Sequence, residues 1–135
     1  MIHYISLENA LEMHDRLITD YGGLKGVLNL GLLQSALETP KASFNRRHLY
    51  RTIFDKAAAY LFHITQNHAF VDGNKRTAGM ISITFLASND VAFTIAEADY
   101  EELILKTAQG KATKKEIAKF FRNAHKEAVN ISYKH

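Results

Sequence analysis

Apolar residues recur three and four positions apart through most of this chain, which is the period of amphipathic helices. Leu7, Ala10, Leu11, Leu17, Ile18 and Tyr21 share one face, Ser6 stands at the N-cap position, and Gly22-Gly23 ends the run. A shorter helix is expected behind Asn29, with Leu30, Leu33, Ala36 and Leu37 turned inward and Pro40 closing it. Residues 41–50 (KASFNRRHLY) show no period and read as loop. From Thr52 the pattern resumes in Ile53, Ala57, Tyr60, Leu61 and Ile64, and Phe54, Ala58 and Phe62 spread apolar surface around most of the circumference. Such a helix is central and buried. It must break before Asp72-Gly73, after which Ala78, Met80, Ile81, Ile83, Phe85 and Leu86 form a second core helix. VAFTI (91–95) alternates weakly like a strand, and IHYI (2–5) is the segment available to pair with it as a short ribbon. A helix over 97–109 stops at Gly110, and Thr113 with Glu116 makes a capping box for a last helix carrying Ile117, Phe120, Phe121 and Ala124. The fold class is therefore all-α, about six helices with at most a minor two-stranded β ribbon.

Composition narrows the chemistry. A length of 135 residues suits one domain spanning 1–135, and 47% hydrophobic with 23% charged residues excludes a disordered or collagen-like chain. There is no cysteine, so thiolate zinc sites, iron–sulfur clusters, disulfides and cysteine nucleophiles are excluded. No apolar run approaches the roughly 20 residues of a membrane span, and the N-terminus lacks a basic region followed by an apolar one, so a cytoplasmic location without membrane contact is expected. The net charge of +3 is unevenly spread: residues 106–135 hold eight basic and two acidic residues, while the rest of the chain is net negative. A solvated helix face accounts for that basic stretch, and direct nucleic-acid binding is not expected.

The unusual segment is His-Ala-Phe-Val-Asp-Gly-Asn-Lys-Arg at 68–76, which puts an imidazole, a carboxylate, an amide and two cations between two buried helices. If the second helix starts near Asn74, its free backbone N–H groups point outward and Gly73 lets a ligand approach them closely. That makes an anion site suited to phosphate. Lys75 and Arg76 oppose the helix dipole at that end, so a bound anion explains them where helix stability does not. Asp72 fits a ligand for Mg²⁺ bridging phosphate oxygens, and His68 has the pKa range of a general base toward a hydroxyl. Taken singly, a structural histidine, an Asp-Gly turn and an ordinary helix start would explain these residues. Within nine positions they form the parts of a metal-assisted phosphoryl or nucleotidyl transferase.

The segment resembles HxFx(D/N)(A/G)NKR, the signature of the death-on-curing (Doc) toxins in the Fic/Doc superfamily, and meets every position of it. Tyr21-Gly-Gly-Leu-Lys-Gly26, Leu30-Gly-Leu-Leu-Gln-Ser-Ala-Leu37 and Phe54-Asp-Lys-Ala-Ala-Ala59 are similar to segments that family carries ahead of its motif. The resemblance implies a compact helical Fic/Doc (Fido) domain acting as the toxin of a toxin–antitoxin pair. It implies ATP or another nucleoside triphosphate and Mg²⁺ as cofactors, a threonine of elongation factor Tu as acceptor, and arrest of translation. It also implies a Phd-like antitoxin whose C-terminal segment folds into a groove on the toxin.

Carried over residue by residue, the resemblance makes His68 the general base and Asp72 the Mg²⁺ ligand. Asn74, Lys75 and Arg76 become phosphate contacts, with Gly73 allowing backbone approach. The Fic branch, HxFx(D/E)GNGRxxR, transfers AMP; here Lys75 replaces its second motif glycine and Gly79 its second arginine, which implies γ-phosphate transfer instead. Ala69 stands where proline is frequent in the superfamily. AMP transfer remains the enzymatic alternative, and a noncatalytic basic module binding RNA or acidic protein the alternative of another class. His3, His14, His48 and His125 read as surface or edge residues, Tyr21 to Gly26 as a helix C-cap with a tight loop, and the Arg46, Arg47, His48 and Arg51 cluster as solvated loop.

Overall fold

The computed structural model describes residues 1–134, so the basic C-terminal stretch noted above ends in a residue, His135, outside the described residues. The architecture is all-α, 67% helical, with one two-stranded antiparallel sheet. In chain order the elements are α1 (Leu7–Tyr21), α2 (Leu30–Glu38), a 3-10 turn (Thr39–Lys41), β1 (Ser43–Phe44), β2 (Arg47–His48), α3 (Ile53–Asn67), α4 (Asn74–Ser88), α5 (Glu97–Ala108) and α6 (Lys114–Lys134). Among the described residues no helix is long and apolar enough to cross a membrane.

Helix α3 is the axis of the fold and packs against α2, α4, α5 and α6. Ala57, Ala58 and Ala59 are wholly buried, and their small side chains let neighbouring helices come close on several sides at once. Tyr60, Leu61 and Ile64 of α3 join Leu33, Phe70, Ile81, Phe85, Ile117 and Phe121 in one core. Burial pushes the Tyr60 phenol up to about 12, and its hydroxyl accepts the Ile5 N–H at 3.0 Å. Helix starts follow the sequence closely: Ser6, Asn29 and Thr52 cap α1, α2 and α3 through their side chains, and Thr52 forms a reciprocal capping box with Asp55.

Three expectations are corrected. Residues 91–95 do alternate between partly buried and exposed positions, yet they pair with no strand. Two of their amides are taken by helix carbonyls instead, Val91 N–H donating to Leu86 O near the end of α4 and Thr94 N–H to Ala124 O in the middle of α6. Residues 2–5 are likewise engaged by side chains, with Asn89 bracketing the His3 backbone. The ribbon lies instead in the segment read as loop, where Ser43 faces His48 and Phe44 faces Arg47 across a turn with positive φ at Asn45 (51°) and Arg46 (64°). Buried Lys56 of α3 ties this ribbon down, its Nζ lying 3.3 Å from Pro40 O and 3.4 Å from His48 Nδ1. Leu30, expected inside α2, is exposed on its outer side, and Leu33, Ala36 and Leu37 carry the buried face.

Candidate active site

The motif loop joins the two most intimately packed helices, α3 and α4. His68 ends α3 in the left-handed region (φ 47°, ψ 48°), a conformation costly for most residues but visited by histidine more than by others. That turn throws its side chain outward: His68 is exposed, and its imidazole has no hydrogen-bond partner among the described residues. Phe70 goes the other way, 1% exposed, and anchors the loop in the core.

Between these two residues the loop backbone is paired on both edges. Ala69 O accepts the N–H groups of Leu28 (2.8 Å) and Asn29 (3.0 Å), and Val71 N–H donates to Gly26 O at 3.1 Å, which makes a β-bridge between Val27 and Phe70. On the other edge the Asn74 carboxamide accepts Phe70 N–H at 3.0 Å and donates to Phe70 O at 2.9 Å. The Asn74 side chain is thus engaged with the loop, and what this residue presents outward is its backbone N–H.

Helix α4 begins directly after Gly73, whose φ of 74° suits glycine, and no side chain caps it. The amides of residues 74–76 find no protein acceptor among the described residues, and the side chains of Lys75 and Arg76 are exposed beside them. Arg76 is steadied by the Tyr21 ring, 4.6 Å from its guanidinium carbon. The open amides, the dipole and the two cations together suit a polyphosphate.

Asp72 is exposed, and both of its carboxylate oxygens take backbone amides: Leu24 N–H reaches Oδ2 at 3.1 Å and Gly73 N–H reaches Oδ1 at 2.9 Å. These two donors, Leu24 first, hold its carboxyl below the usual carboxylate range, and the positive charge of Arg76 works in the same direction. An exposed carboxylate kept ionised, with lone pairs left over, fits a divalent cation. Among the described residues no group of three His, Asp or Glu side chains is arranged to hold a metal. A cation here would share Asp72 with ligand oxygens, the donor set Mg²⁺ takes beside phosphates.

The sequence reading missed the contribution of α1 and the turn behind it. Gly23, read as part of a helix stop, faces Asp72 so closely that a Cβ on it would lie 2.7 Å from Oδ2, and its φ is 120°. His14, read as a surface or edge residue, is 3% exposed, stacks on Phe70 and reaches Asp72 O with Nε2 at 2.8 Å. The signal was available: position 14 falls on the same helical stripe as Ala10, Leu17 and Ile18, and a polar residue on such a stripe needs a buried partner.

A family model described as Fic/DOC family matches residues 4–86, a span that contains the whole motif loop. Toxin Doc of Mycolicibacterium smegmatis is 45% identical over 91 residues, covering 67% of this chain and 68% of that protein. Protein kinase doc of Escherichia phage P1 is 28% identical over 127 residues, 94% of this chain and 99% of that one. The match includes α1 and the turn after it as well as the loop that they brace, and on this footing the chain belongs to the Fic/Doc family.

Proposed function

We propose that this protein is the toxin of a cytoplasmic toxin–antitoxin pair and a phosphotransferase. In this reading it moves the γ-phosphate of a nucleoside triphosphate such as ATP to a protein hydroxyl, with a threonine of elongation factor Tu as the expected acceptor. The observation that carries the reading is the open, doubly cationic start of α4, set between an exposed imidazole and an exposed carboxylate. The names of the two relatives, a toxin and a protein kinase, point the same way.

The residues divide the work. The amides of 74–76 with Lys75 and Arg76 take phosphate oxygens and offset charge as it spreads over the transferring group. His68 accepts the proton of the attacking hydroxyl while its oxygen bonds to the γ-phosphorus and the bond to the β–γ bridging oxygen breaks, releasing the diphosphate. Asp72 would hold Mg²⁺, which when bound neutralises polyphosphate charge.

Position 79 supports terminal transfer over AMP transfer. A Cβ there would lie 2.7 Å from Ile104 Cδ1 and 3.5 Å from Tyr100 Cε2, and Tyr100 donates its hydroxyl to Gly79 O at 2.7 Å, so α5 packs directly on the position where the Fic branch carries its second arginine. For the antitoxin, Leu24, Val27, Leu28, Leu30 and Leu32 leave apolar surface exposed along the α1–α2 connection and the start of α2, the kind of area a partner covers.

Nucleotide labelled at the α or γ phosphate, incubated with Mg²⁺ and elongation factor Tu, tests the proposal. Label arriving from the γ position alone is the expected result. Arrival from the α position would replace it with AMP transfer. No arrival from either, together with RNA binding that weakens steeply with salt, would replace it with a binding module.

A further inference from the structure

We propose that His14 is a positioning residue that aims the Asp72 carboxylate by fixing the peptide unit between Asp72 and Gly73. The inference rests on the reading above of Asp72 as the metal-binding carboxylate.

The argument starts from burial. His14 lies on the apolar stripe of α1, where an imidazole without hydrogen bonds would be costly. Its Nε2 is 2.8 Å from Asp72 O, and a carbonyl oxygen only accepts, so Nε2 must carry a proton. The ring lies flat on Phe70, centroids 3.8 Å apart and planes 7° from parallel. Stacking fixes the ring plane and the hydrogen bond fixes its rotation, so His14 grips the loop on both sides of Val71.

The carbonyl it holds is half of a rigid unit. The Asp72 C=O and the Gly73 N–H belong to the same planar peptide and cannot turn independently. That same Gly73 N–H is the donor to Asp72 Oδ1 at 2.9 Å. Holding the carbonyl therefore aims the amide, and the amide holds one carboxylate oxygen while Leu24 N–H holds the other. Accepting a hydrogen bond at C=O also polarises the N–H of the same unit, so the two bonds reinforce each other. Gly73 is the residue where rotation would otherwise be easiest, since it sits in the left-handed region with no Cβ.

The test separates the two contacts. His14→Phe keeps a ring against Phe70 and removes the donor; His14→Gln removes the ring and keeps a donor. The readouts are the protonated ring nitrogen of His14 in ¹⁵N spectra of the native protein, the Gly73 amide shift, melting temperature, and binding of Mn²⁺ with a non-hydrolysable ATP analogue. The expected results are a proton on Nε2, a Gly73 amide moved in His14→Phe, and Mn²⁺ binding weakened about tenfold in His14→Phe and largely restored in His14→Gln. A native His14 protonated only on Nδ1 would overturn the inference, as would unchanged Mn²⁺ binding in a folded His14→Phe protein or a His14→Gln no better than it. Should His14→Phe not fold, the native tautomer and the His14→Gln protein decide. Should the native protein bind no Mn²⁺ with the analogue, the phosphotransfer reading fails, and the tautomer and the Gly73 shift still decide the role of His14.

Discussion

The starts of α4 and α6 share one layout, a cap position followed by the first turn with a lysine at its second residue, and put it to opposite uses. Helix α6 opens with Thr113-Lys114-Lys115-Glu116, and α4 with Gly73-Asn74-Lys75-Arg76. In α6 the end is closed: Thr113 Oγ1 accepts Glu116 N–H at 3.1 Å, and Glu116 Oε1 accepts the Thr113 N–H and hydroxyl at 3.1 and 3.0 Å. Lys114 is also occupied, donating to Tyr50 Oη at 2.7 Å and to His63 Nε2 at 3.1 Å. In α4 the threonine becomes a glycine with nothing to offer and the glutamate becomes an arginine. One end spends its free amides on its own side chains. The other leaves them open, at a cost in stability that a ligand bringing negative charge would offset.

The sharpest way to test that contrast is to remove chemistry from the open end. His68→Ala should lower phosphate transfer by about 10²–10⁴-fold, the usual share of a general base, in a protein that still folds because the side chain is exposed and unbonded. The closed end should respond in the opposite sense. Thr113→Ala should cost about 1 kcal/mol in denaturant unfolding, with transfer by the folded protein unaltered. A smaller effect is expected from Lys75→Gln, which removes a cation opposing the α4 dipole. Stability should stay level or rise by roughly 0.3 kcal/mol while nucleotide affinity falls. If Lys75→Gln instead destabilised the protein with nucleotide affinity intact, the contrast would be wrong.

The smallest expected effects are in pH dependence and belong to the closed end. Burial, and then the Lys114 charge, lower the His63 pKa from its ordinary 6.5. Between the lowered value and 6.5 the unfolded chain binds more protons than the folded one. This contribution to stability is therefore complete above 6.5 and fades as the pH falls through that window. Glu116, held below its ordinary 4.5 by the Thr113 N–H and hydroxyl, behaves in the same direction at lower pH: its contribution is present above 4.5 and lost as the pH falls through its lowered value. Melting temperature followed against pH should show both slopes. His63→Asn should flatten the first and Glu116→Gln the second.

What was legible in the sequence was whatever depends on near neighbours. Ser6, Asn29, Thr52 and Thr113 announce their helices because a cap is a bond over two or three residues. The loop at 68–76 stood out for a similar reason, its chemistry being contiguous. Partners that come from afar were not legible. The alternation at 91–95 reported real burial but could not reveal that carbonyls of α4 and α6, rather than a strand, would take its amides. The ribbon at 43–48 carries no apolar alternation, and its turn places Arg46 where glycine is usual. His14 acts on residues 56 and 58 positions away, and only its place on an apolar stripe hinted at that.

The carboxamide of Asn74 stands in for a missing neighbouring strand, receiving the Phe70 amide and returning a donor to its carbonyl, with the Val27 bridge on the opposite flank. An irregular connection held this way should exchange its Phe70 amide hydrogen as slowly as a sheet interior does, although it joins two helices at the surface. In the function proposed above, an incoming nucleotide would meet a loop whose shape is already set. Little conformational entropy would remain to be lost on complex formation, so a larger part of the interaction energy would survive as affinity.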